Sequence, residues 1–106
     1  MLFEFELDGT DDQTQRVILD NQSYELRFQW NYFMETWGVS IGEIGGEPFC
    51  YFTLTTYNDL TAAFRYDERV PQGTFFAGGY INSSTRIGRY NVGPSRECFL
   101  IYLSND

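Results

Sequence analysis

The chain is 106 residues long, 42% hydrophobic and 19% aromatic, with 15 acidic residues against 7 basic ones and no histidine. That length makes one domain, 1–106, able to bury about two-thirds of its unfolded surface without a metal or disulfide. A formal charge of −8 excludes the basic surface that nucleic-acid binding requires, and the missing histidine excludes His-based triads and zinc sites.

Aromatic and β-branched residues dominate the periodic stretches, so the chain reads as an all-β domain: a small antiparallel β-sandwich or barrel with one short helical segment. All seven cations are arginines. Arginine is favoured at protein interfaces and lysine depleted there, which fits a subunit meeting partners over much of its surface; codon or lineage bias is the alternative.

The first residues, Met1 to Asp8, show neither a basic leader nor a long apolar run. They argue against a signal peptide and membrane insertion, and point to a chain made in the cytoplasm. Phe3, Phe5 and Leu7 alternate with Glu4, Glu6 and Asp8 as a half-buried strand ending at the turn Asp8–Asp12. A second strand, Gln15–Asp20, sets Val17 and Leu19 against Arg16 and Ile18, and the turn 20–23 leads on, so sequence neighbours are expected to pair as a meander.

The strongest pattern follows. Tyr24, Leu26, Phe28 and Trp30 alternate with Glu25, Arg27, Gln29 and Asn31, and Phe33, Glu35, Trp37, Val39 and Ile41 share one parity after a turn placed at Asn31-Tyr32. A hairpin carrying both tryptophans on its core face is the expected centre of the molecule. A turn around Gly45-Gly46 precedes the strand Phe49–Thr56, whose two faces, Cys50/Phe52/Leu54 and Phe49/Tyr51/Thr53, are both apolar enough to be covered, one by the domain and one by something else.

Asn58–Phe64 has a cap-like start and helical spacing, suited to one or two turns plugging an open end of the sheet. Thr74–Ile81 is a weaker strand with a Gly-Gly bend. The stretch Asn82–Arg96 lacks periodicity, and Glu97–Leu103 is apolar enough to be a last strand buried on both faces.

No residue set supports catalysis, a cofactor or a metal. The pairs Glu4/Glu6 and Glu43/Glu47 fit solvated strand faces and turns rather than acid–base work, and Asp8–Asp12 lacks the spacing of a calcium loop. Gly45-Gly46 and Gly78-Gly79 open no helix and so cradle no phosphate. Cys50 and Cys98, without CxxC spacing, read as two buried free thiols. A carbohydrate-binding, lectin-like β module is the competing function, with open aromatics such as Tyr32 or Tyr90 as its stacking residues.

The strand ending Phe28-Gln29-Trp30-Asn31, the arm Trp37-x-Val39-x-Ile41, the Asn58-Asp59-Leu60 segment and the ending Phe99–Leu103 together resemble the baseplate plug proteins of contractile-tailed phages, including the cyanophage type. The resemblance implies a non-enzymatic structural protein of the virion tail baseplate. Such a protein closes the end of the tail tube and joins tube or hub to spike, within a homo- or hetero-oligomeric symmetric assembly. The partner interface is expected at Arg86, Arg89, Tyr90 and Arg96, in the one basic stretch of an acidic chain, and at Phe49 and Tyr51. A mobile surface loop is the alternative for that stretch.

Overall fold

Seven strands form over residues 2–64, 66–81 and 86–104, which the computed structural model describes. They are β1 (Leu2–Phe5), β2 (Asp12–Leu19), β3 (Gln22–Asn31), β4 (Thr36–Gly42), β5 (Pro48–Thr53), β6 (Thr74–Gly79) and β7 (Cys98–Leu103). The order β2-β3-β4-β5 makes one antiparallel sheet and β1-β7-β6 the other. The two pack as a sandwich, not a closed barrel.

The central hairpin forms as its alternation predicts. Leu26 pairs with Ile41, Phe28 with Val39 and Trp30 with Trp37. Opposed residues share a face, so these pairs make one apolar layer while Arg27–Ser40 and Gln29–Gly38 face outward. Asp20 and Asn21 join β2 to β3 with φ of 52° and 66°, the two-residue turn whose twist suits a hairpin. Val17 and Leu19 are buried and Ile18 is exposed, as read from the pattern.

The β3–β4 turn differs from expectation. It spans Tyr32–Glu35, because the Asn31 side-chain carbonyl accepts from the Phe33 and Met34 amides, both at 3.0 Å, and Glu35 takes the left-handed φ of 54°. Phe33 therefore sits at the tip, 93% exposed, rather than in the second arm.

The meander stops at β2. Strand β1 pairs with β7, from Leu2 opposite Leu103 to Phe5 opposite Leu100, and not with β2. A strand as apolar as β7 is central and needs a neighbour on each edge; β6 supplies one and β1 the other. Phe5 then reaches across the sandwich to Phe28, centroids 6.0 Å apart, as Phe52 does to Phe75 at 5.9 Å. Residues Glu6 to Asp11 carry the chain between sheets, with Leu7 fully buried.

The expected helix is reduced to one 3₁₀ turn, Ala62–Phe64. Rather than plugging an end, its approach lies along the outer edge of β6, where the Tyr57 amide donates to Ala77 O (2.9 Å) and the Leu60 amide to Phe75 O (3.1 Å). The segment satisfies backbone groups an edge strand would otherwise offer to another chain.

Candidate interaction surfaces

Of the stretch 82–96, Asn82–Thr85 lie outside the described residues. The rest is bound down, and it closes the end of the sandwich beside the β3–β4 turn. Ile87 and Val92 enter the core, the Trp37 indole N–H donates to Gly88 O (3.1 Å), and the Leu7 amide donates to Val92 O (3.1 Å). Little was expected to hold this loop; its missing periodicity hid contacts made about 80 residues away in sequence, such as that from the Arg89 Nε to Gly9 O at 2.9 Å.

Each predicted arginine has a distinct place. Arg89 pairs with Asp11 and stacks between Tyr32 and Tyr90, its guanidinium 5.2 and 5.3 Å from their centroids. Arg96 donates to Leu7 O (2.7 Å), Tyr90 O (3.2 Å) and Glu6 (3.2 Å). Arg86 is exposed and 3.6 Å from Glu35. Tyr90 is exposed above Gly9, whose positive φ and close approach to the Tyr90 ring leave no room for a Cβ. The Tyr32 hydroxyl donates to Asp11, and that hydrogen bond raises the tyrosine above its ordinary pKa. Asp11 thus fixes a rim of Tyr32, Arg89 and Tyr90 beside the projecting Phe33 and Met34.

Phe49 and Tyr51, grouped by parity, separate in the fold. A bulge at Ile41/Gly42 sets Gly42 opposite Pro48 and Ile41 opposite Cys50, leaving Phe49 as the extra residue. It packs edge-on against Tyr24 at 6.4 Å, with Arg69 5.0 Å above its ring. Tyr51 faces outward. Strand β4 presents only Thr36, Gly38, Ser40 and Gly42 on that side, and Tyr51 lies across the resulting trough above Gly38.

A third surface went unread in the sequence. On the outer face of β1-β7-β6, Tyr57 meets Phe76 edge-on at 5.6 Å, Phe76 stacks on Phe99 at 6.2 Å, and Phe99 contacts Tyr80 at 5.3 Å. Any Cβ on Gly78 would lie 2.6 Å from Tyr57, so this glycine lets the tyrosine lie flat on the sheet. Leu2, Ile101 and Leu103 extend the surface to the other edge. The last strand was expected to be buried on both faces. Cys98, Leu100 and Tyr102 do enter the core, but Phe99 and Ile101 are only half-buried and Leu103 is exposed.

Cys50 and Cys98 are free and buried; burial, with Asp67 nearby, pushes the Cys50 thiol up to about 11, and burial raises Cys98 too, so neither supplies a thiolate near neutrality. Among the described residues no cluster of three potential ligands could hold a metal, and no helix is long and apolar enough to cross a membrane.

A family model described as "Cyanophage baseplate Pam3 plug gp18" matches residues 2–105. The chain belongs to that baseplate plug family. No curated protein matches it. Membership of the baseplate plug family carries a structural role in a phage tail baseplate, in keeping with the resemblance seen in the strand and turn order. The matched span takes in all seven strands and every surface described above.

Proposed function

We propose that this protein is the non-enzymatic plug of a phage tail baseplate, closing the lower end of the tail tube and joining tube or hub to spike. The family match over residues 2–105 carries the reading. The chain is made in the host cytoplasm and enters a symmetric assembly, where its partners are hub, tube and spike proteins. A net charge of −8 suits a body that shares a channel with DNA without holding it, since like charges repel.

Its contact residues include those first marked in the sequence. Arg86, Tyr90 and Tyr51 are open to a partner, while Arg89, Arg96 and Phe49 hold the surfaces on which they stand. Tyr and Arg, with Phe33 and Met34 beside them, are residue types that anchor protein contacts.

The test is a phage lacking this chain. Its tails should be open at the baseplate end when imaged, and closure should return when the chain is supplied in trans. Absence of the chain from purified wild-type tails would end the proposal.

A further inference from the structure

We infer that the outer face of β1-β7-β6 docks a different baseplate protein, through an apolar surface that brings a lysine or arginine to Glu4. The inference rests on the baseplate reading above and assigns that reading a face and a partner chemistry.

Two strands of six residues and one of four, about 4.8 Å apart, give a sheet face of roughly 250 Å² in projection, approaching the size of the main apolar patch of a typical monomer, which is often functional. The strand register sets Glu4, Ile101 and Phe76 in one row across this face, with Leu2 and Leu103 in the next. The aromatic run Tyr57, Phe76, Phe99 and Tyr80 is locked by ring contacts between 5.3 and 6.2 Å, so little side-chain freedom is lost when a partner covers it.

Glu4 chooses the occupant. Its Oε2 is buried against its own surface and has no hydrogen-bond donor among the described residues. The residue as a whole is only half-buried, so covering the face strips water from the rest of its side chain and leaves the carboxylate unpaired in an apolar interface, which is strongly unfavourable. The partner must therefore bring a cationic donor to this position. A second copy of this chain fits badly. Two like faces would enclose two donor-less carboxylates, one from each of two chains formally charged −8. A different subunit, apolar around one basic side chain, satisfies both requirements.

A photo-crosslinking residue placed at Ile101, with a control at Thr14 on the outer face of the other sheet, tests this in tails assembled by the phage. The expected result is a crosslink from position 101 to another baseplate protein. If the chain enters tails but position 101 captures nothing, or captures a second copy of the chain, the inference falls while the plug reading stands. If the chain is absent from tails, both fall. Glu4→Arg should fold and melt as the parent does, because the side chain lies outside the core, yet enter tails at least tenfold less. Incorporation of Glu4→Arg at the parental level would remove the cation from the inference.

Discussion

Arg89 shows how a residue marked as a partner contact can also serve its own fold. Its guanidinium ties the 86–96 segment to Gly9 and Asp11 between two tyrosine rings. Arg89→Ala should therefore lower the urea midpoint of the isolated chain, whereas an arginine held only by a partner would leave it unchanged. Cys50 predicts a pH effect. Its folded pKa of about 11 lies above the ordinary 9.0, so between those values the unfolded chain loses a proton that the native one keeps. The Cys50 contribution is full below pH 9 and falls on the order of 2–3 kcal/mol toward pH 11, and Cys50→Ala should flatten that part of the decline while lowering stability at neutral pH. At the acid end the sign reverses. Arg27 beside Asp12 and Arg69 beside Asp67 hold those carboxyls below the usual 3.8, and their contribution is lost as pH falls through the depressed values.

At the scale of elements, the hairpin was readable and the pairing of β1 was not. Period-two alternation tells which side of a strand is buried, and Val17, Leu19, Tyr24, Leu26, Phe28, Trp37 and Val39 were all assigned to the core that way. It does not tell which strand lies alongside. For β1 that neighbour is about 100 residues away, and only the two-sided apolarity of β7 hinted at the need for it. The outer face of β1-β7-β6 was missed for the same reason, because apolar residues on both faces were assigned to a buried strand. Turn chemistry was half legible: Asn31 was rightly implicated, but it opens the turn as an acceptor for two amides, and the positive φ falls on Glu35 four residues on. Asn31→Ala should cost about 1–2 kcal/mol through those lost bonds. Phe33→Ser, two residues on at the exposed tip, should stay within about 0.5 kcal/mol in the isolated chain, which an equilibrium denaturation series would separate.

The whole molecule is held together where rings from the two sheets meet. Phe5 contacts Phe28 of the opposite sheet and Phe75 of its own, at 6.0 and 6.1 Å, so it couples the two layers. Phe5→Ala should cost about 3–5 kcal/mol with the urea slope unchanged, the mark of lost stability in a body that still unfolds as one. Tyr102 links the layers at the other end, donating to Asp20 and accepting from the Gly73 amide at 2.7 Å. The partnership of β1 with β7 also orders events during synthesis. Residues 12–53 hold every strand of the four-stranded sheet and can pair as they leave the ribosome, but Leu2–Phe5 must wait until Cys98–Leu103 has emerged. The face bearing Phe76, Phe99 and Ile101 does not exist before then. A translation product that stops short of β7 therefore lacks that face altogether, so completion of the chain and completion of this surface are one event.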